Sequence, residues 1–274
     1  MYRLLSRTVQ IWNERRPTQH AAALAYYSMF AFAPVLYVIV RVAGRFFSEP
    51  VVTDTLNTFL VTLLGADVAD YVAEMVANTA ADSAGGSLLT TIISTGALLY
   101  AATGFFVHLQ RTLNSIWETQ PQTEGTVRRF LVGRFIAFAM VMGLAALLAV
   151  SLFAGTAITL LQNMIGISTR FQLAYTAVMF GLGTLTFAVI FKTLPAAPVR
   201  WRHCLIGGMV TAILVGIGGA VMLIYLRLSH AGTAFEAAGS LAVILIGVYY
   251  SAQLLLAGAV FTRALGEKDD DWSA

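Results

Sequence analysis

Charged side chains are scarce in this sequence: Asp, Glu, Lys and Arg make up 11% of its 274 residues, against about 25% in an ordinary soluble domain. The chain is also 58% hydrophobic, with a mean hydropathy of +0.76. So few charges cannot cover a water-exposed surface of this length, and lipid must solvate much of it. Cysteine is nearly missing. The single Cys204 excludes an internal disulfide and any cysteine-based metal cluster, and reads as a small buried apolar residue. No Walker-type phosphate loop, dinucleotide fingerprint or G-x-S-x-G elbow occurs. The four histidines, His20, His108, His203 and His230, show no metal-ligand spacing. The expectation is therefore a protein that is not an enzyme and carries no cofactor or metal. Its pI of 9.1 comes from basic residues spread over separate short loops. That pattern carries topology and argues against nucleic acid as a partner.

Apolar length is what the chain has. Six stretches, near 21–44, 87–110, 135–162, 172–194, 204–228 and 239–263, are free of acidic residues, and each reaches the roughly 20 residues a spanning helix needs. They are continuous and do not alternate as barrel strands would. The first run is too long for a signal-peptide core and lacks a clear cleavage site, so it reads as an uncleaved span. Thirteen of the 17 Lys and Arg fall in the N-terminal segment, in the second-to-third and fourth-to-fifth connections, and in the tail. By the positive-inside rule these face the cytoplasm. The predicted fold is an all-α integral membrane protein of six transmembrane helices in the bacterial inner membrane, with both termini cytoplasmic.

Two further segments have helical periodicity without spanning length. In 2–16, Tyr2, Leu5, Val9 and Trp12 recur at helical spacing while Arg3, Arg7 and Arg15 fall elsewhere on the wheel. This predicts an interfacial amphipathic helix in residues 1–20, on an anionic leaflet or packed as an ordinary helix. The connection 48–86 is acidic, without Lys or Arg, and carries apolar stripes at Leu56, Phe59, Leu60, Leu63 and Leu64, then at Val68, Val72, Met75 and Val76. It predicts two short outer-face helices. Residues 21–263 then form the transmembrane domain and 264–274 an acidic cytoplasmic tail.

Polar residues inside the spans are few. Tyr26, Tyr27 and Ser28 precede Pro34 in the first span, and Pro34 should kink that helix and open a space beside the tyrosines. Tyr249, Tyr250, Ser251 and Gln253 stand near the middle of the last span. Buried hydroxyls and amides need partners, so these groups either bond helix to helix or line a polar path. Tyr249 and Gln253, four apart, share a face, while Tyr250 points elsewhere, towards Tyr26 or Tyr27. The candidate substrate path is Tyr26, Tyr27, Pro34, Tyr249 and Gln253. Arg41 and Arg45, with Glu236 before the last span, form a candidate outer mouth for an anionic group. Gly208, Ala212 and Gly216 lie four apart, a spacing that brings helix backbones close.

Four blocks in order resemble the YihY/BrkB family of bacterial inner-membrane proteins. They are Ala22–Tyr27 with Phe30 and Ala33-Pro34; Thr103-Gly104-Phe105 with Leu113–Trp117; Leu194-Pro195 with Trp201-Arg202 and Gly207; and Tyr249–Gln253 with Gly258-Ala259 and Phe261-Thr262. The sequence departs from the pattern at Val260, where a glutamate is expected. The resemblance implies a six-span fold but no reaction. Family members have been named for serum resistance, labelled a tRNA-processing ribonuclease, and suggested to move lipid or small molecules.

The resulting expectation is a transporter, exporter or lipid flippase without its own ATPase, with membrane lipids as partners and a small anionic or lipid cargo. A scaffold for envelope partners is the alternative. A membrane ribonuclease would need an acid–base pair or metal site, and Glu118, Glu124, His203 and the tail carboxylates have no such spacing. The topology is directly testable. A cysteine placed at Asp70 should react with an impermeant thiol reagent in cells with a permeable outer envelope. Labelling at Thr123 instead would invert the assignment.

Overall fold

A computed structural model describes residues 2–43, 49–64, 104–119, 169–229 and 237–268, together with 66, 69, 70 and 72–74. All regular structure among the described residues is helical: α1 (Tyr2–Arg15), α2 (Pro17–Ala43), α3 (Glu49–Leu64), α4 (104–116), α5 (Thr169–Thr193), α6 (Trp201–Ser229) and α7 (Ala237–Lys268). Stretches Thr176–Thr193, Trp201–Met222 and Ala242–Glu267 are long and apolar enough to cross a membrane. They coincide with the fourth, fifth and sixth expected spans, and α2 covers the first. Residues 87–103 of the second span and the whole third span, 135–162, lie outside the described residues, as do Arg45 and Glu236.

Local chemistry sets the helix boundaries. Arg16 has φ of 45°, and its N–H donates to the Trp12 carbonyl at 3.1 Å, which ends α1 in a left-handed residue. Pro17 then opens α2, where a missing N–H removes no intrahelical bond. The helix continues unbroken through Pro34 to Ala43, while the side chains of Pro34 and Arg41 lie outside the described residues. In α3, Val52, Leu56 and Leu60 are buried at helical spacing, and Ala69 and Val72 are buried beyond it, with Asp54, Asp70 and Glu74 exposed. Leu56 and Leu60 of the first apolar stripe and Val72 of the second thus face inward, and these three carboxylates outward; the other stripe side chains lie outside the described residues.

Helix α6 packs against both α5 and α7, and α7 also meets α1 and α2. In lipid there is no hydrophobic drive between helices, so close backbone approach and internal hydrogen bonds must supply the attraction. Helices α6 and α7 do this reciprocally. Gly207 leaves room for Thr262, and Gly258 leaves room for Thr211. Each threonine Oγ1 donates to the glycine carbonyl of its own helix, Thr211 to Gly207 and Thr262 to Gly258, both at 2.7 Å. Both hydroxyls are thereby satisfied where no water reaches. On its other side α6 brings Gly208 against the α5 backbone at Thr184 and Ala188. Gly216 has open space around it. Of the expected Gly208–Ala212–Gly216 row, Gly208 thus makes a close approach and Gly216 does not, while a second close face, Gly207–Thr211–Gly218, meets α7.

A single apolar cluster joins Ile11 of α1, Leu24 of α2, Leu113 of α4, Phe191 of α5, Cys204 of α6 and Leu256 of α7. Cys204 is buried there as a small apolar group. Val260 is fully buried in the same cluster, so the position where a glutamate is expected holds an apolar contact.

The interlock makes a differential prediction. Gly258→Ala and Gly207→Ala each force a methyl into a threonine and should destabilise by about 1–3 kcal/mol. Gly216→Ala meets nothing and should be neutral or stabilising by up to about 1 kcal/mol. Thermal unfolding in detergent checks the contrast.

Candidate functional site

The polar residues of the described chain gather at two levels. The lower is a charged base where α1, α4 and α7 meet. Arg263, in the last turns of α7, has a side chain only 5% exposed. A buried guanidinium must be paired and hydrogen-bonded throughout to be tolerated. Its Nε donates to Glu267 Oε1 at 2.9 Å, its Nη2 to Glu118 Oε1 at 3.0 Å, and its Nη1 to the Ile116 carbonyl. Each carboxylate holds a second arginine from α1. Arg7 Nε donates to Glu267 Oε2 at 2.6 Å, and Arg15 pairs with Glu118. The Glu267 bond holds the Arg7 guanidinium above its usual range, against the opposing effect of desolvation.

Glu118 reaches this position through strained backbone. Its φ is 56°, its N–H donates to the Ser115 carbonyl at 3.4 Å, and the Thr119 N–H donates to Asn114 at 3.1 Å. That is a Schellman ending of α4, normally made with glycine at the left-handed residue. A non-glycine residue there costs about 1–2 kcal/mol, which the two arginines at its carboxylate offset. The same helix end is tied to the α5–α6 connection. Gln110 Nε2 donates to the Leu194 carbonyl at 3.2 Å, and Asn114 Oδ1 accepts from the Ala196 N–H at 2.7 Å. Trp117 packs against Phe191 with centroids 6.2 Å apart.

The upper level is neutral. Tyr27 of α2 lies against His108 of α4, with centroids 4.7 Å apart and planes tilted by 30°. Tyr26 is 58% exposed and meets Tyr27 and Phe30 edge-on. One turn below His108 on the same face is Thr112, which is buried. His108 Nε2 and Thr112 Oγ1 are both buried and neither has a hydrogen-bond partner among the described residues. At about 1.5 Å per residue, Tyr27 stands about 15 Å along α2 from Pro17, His108 about 12 Å from Ile116, and Gln253 about 15 Å from Arg263. Each of the three thus stands two to three turns along its own helix from these positions, and of them Tyr27 and His108 are in contact.

Of the path residues expected from sequence, Tyr27 joins His108, while Tyr26 is open to the outside of the described helices. Gln253 is half-buried and Tyr249 packs against the apolar cluster. Tyr250 has Gly218 of α6 as its described neighbour, with a glycine Cβ position 3.0 Å from the ring. Ser251 is exposed and its hydroxyl bonds back to Gly247 at 2.8 Å. His108, Thr112 and the Arg263–Glu118–Glu267 set were not singled out as site residues from sequence. Their nearest signal was the block Leu113–Trp117, which ends beside Glu118.

The chain belongs to the BrkB family: the model described as virulence factor BrkB matches residues 8–273. It is similar to a UPF0761 membrane protein of Verminephrobacter eiseniae, 26% identical over 94% of this chain and 62% of that one. A UPF0761 membrane protein of Teredinibacter turnerae is 25% identical over 93% of this chain and 58% of its own length. One of Aggregatibacter aphrophilus is 27% identical over 94% and 90%. The chain thus spans about three fifths of the first two relatives. No solved structure matches.

The base predicts graded losses. Arg263→Met removes three hydrogen bonds and the cation the two carboxylates share, while Arg7 and Arg15 still pair them, and should cost the most, about 2–3 kcal/mol. Glu118→Gln leaves Arg263 bonded to Glu267 and to a carbonyl and should cost less. Arg7→Gln, removing a part-exposed pair, should cost under about 1 kcal/mol. Thermal unfolding of the purified variants gives the order.

Proposed function

We propose that this chain is a multi-pass inner-membrane transporter, an exporter or lipid flippase, that has no catalytic activity and no ATPase of its own. In this reading six helices span the membrane, both ends are cytoplasmic, and the charged base closes the inner side. The observation that carries it is the pair His108 Nε2 and Thr112 Oγ1, buried beside Tyr27 without a protein partner among the described residues. Buried polar atoms are almost always hydrogen-bonded. In a membrane helix, an ionisable group with no protein partner marks a place for water or polar cargo. In this reading Gln253, half-buried about 15 Å along the last helix from Arg263, adds a polar group to the path. With no nucleotide motif in the sequence, the energy comes from an ion gradient, a partner or the cargo's own gradient. The cargo is small and anionic or a lipid, received at the far side by Arg41, Arg45 and Glu236.

Reconstituted vesicles test this against a panel of anionic lipids and small acidic metabolites. Flux should fall strongly in Gln253→Leu and in His108→Phe, each of which keeps volume and folding while removing polar atoms. Tyr250→Ala should instead lower stability, by removing a packed ring. Wild-type flux in both polar variants would refute the path. Folded protein that moves nothing in the panel would favour the scaffold.

A further inference from the structure

Helix α1 has two apolar faces, and only one of them is used by the protein. At 100° per residue, Leu4, Thr8, Ile11 and Arg15 share one side. That side is docked: Ile11 is fully buried in the apolar cluster, Leu4 packs on it, and Arg15 and the neighbouring Arg7 are tied to Glu118 and Glu267. About a quarter-turn or more away, Leu5 and Val9 are 55% and 59% exposed, and Trp12 continues their stripe to the edge of the docked side. On the remaining arc Gln10 bonds Glu14 at 2.9 Å, which occupies the only acidic side chain of the helix.

Where α1 sits decides what covers the free stripe. Arg7 fastens it to Glu267, at the end of the Ala242–Glu267 stretch that is long and apolar enough to cross a membrane. Arg15, two turns further along α1, pairs with Glu118, and Arg263 bonds both carboxylates, so α1 is fastened at two points to the end of that stretch, at the level of the lipid head groups. Arg3 and Arg16 are exposed and have no ion pair among the described residues. Arg16 stands at the C-terminal end of the stripe and Arg3 at the N-terminal end of the helix, on the arc of Gln10 and Glu14, while Arg7 and Arg15 are spent on the base. An apolar stripe on a helix with an unspent arginine at each end, at head-group depth, matches an anionic lipid surface.

We propose that α1 is a clip between protein and membrane: docked on α7 through Leu4, Ile11 and Arg7, with Trp12 at the edge of the docked side, it lays Leu5 and Val9 into an anionic lipid surface. The clip does not depend on whether anything is transported, so failure of the flux assay leaves it standing.

The test uses the full chain with Cys204→Ala, reconstituted in vesicles of phosphatidylcholine with or without phosphatidylglycerol. A thiol-reactive fluorophore is placed at Val9→Cys, at Leu5→Cys, or at Gln10→Cys on the polar arc. With phosphatidylglycerol present, the labels at 5 and 9 should be quenched by spin-labelled lipid and be several-fold less open to aqueous iodide than the label at 10. In phosphatidylcholine alone that protection should shrink. Two independent stripe positions guard against one labelled variant folding poorly. Labels at 5 and 9 as open to iodide as the label at 10 would overturn the proposal. Protection identical in both lipids would overturn its anionic component. Protection that vanishes on diluting protein in lipid would assign the stripe to a second copy instead.

Discussion

Arg263 is a cation that the fold has taken out of solvent, and its neutralisation dictates how the described helices meet. A buried guanidinium demands several acceptors in fixed directions. Glu267 supplies one from the next turn of its own helix, while Glu118 and the Ile116 carbonyl supply the others from the end of α4. Glu118 is available only because α4 ends in a left-handed turn at that residue. The two carboxylates then anchor α1 through Arg7 and Arg15. One charge thereby sets the relative positions of the first, fourth and last described helices.

Above the base the cohesion changes in kind. Helices α5, α6 and α7 are apolar on every side, so nothing hydrophobic distinguishes a neighbouring helix from lipid. Glycine and threonine provide the distinction. The Gly207–Thr262 and Gly258–Thr211 pairs let two backbones approach and satisfy both hydroxyls internally. A fold fastened by charge at one end and by small residues along one seam holds polar atoms such as His108 Nε2 buried without a hydrogen-bond partner among the described residues.

Which parts of this were legible in the sequence follows from the range of each interaction. The spans at 172–194, 204–228 and 239–263 are written in local composition, and the described helices coincide with them. The break between α1 and α2 is local too, at Arg16-Pro17. Close packing of the glycine-rich helix was legible only in part: Gly208 meets α5 and Gly216 lies open, whereas the Gly207 contact escaped notice because its partner Thr262 belongs to another helix. Arg263 counted only as a topology charge, since its partner Glu118 lies 145 residues away and no spacing rule joins them. His108 stood as an isolated histidine for the same reason, its ring partner being on another helix. The family blocks carried the tertiary information that periodicity lacks: Asn114 in one block bonds Ala196, directly after Leu194-Pro195 of another.

The central claim is that water or polar cargo reaches the level of Tyr27, which is 41% exposed, and of His108, whose Nε2 is buried. Hydroxyl-radical footprinting of the reconstituted protein tests this, because radicals form from water at the site itself. The account predicts oxidation of Tyr27 and His108 while Phe191 and Trp117, in the closed apolar cluster, remain unmodified. Protection of Tyr27 and His108 equal to that of Phe191 would contradict it.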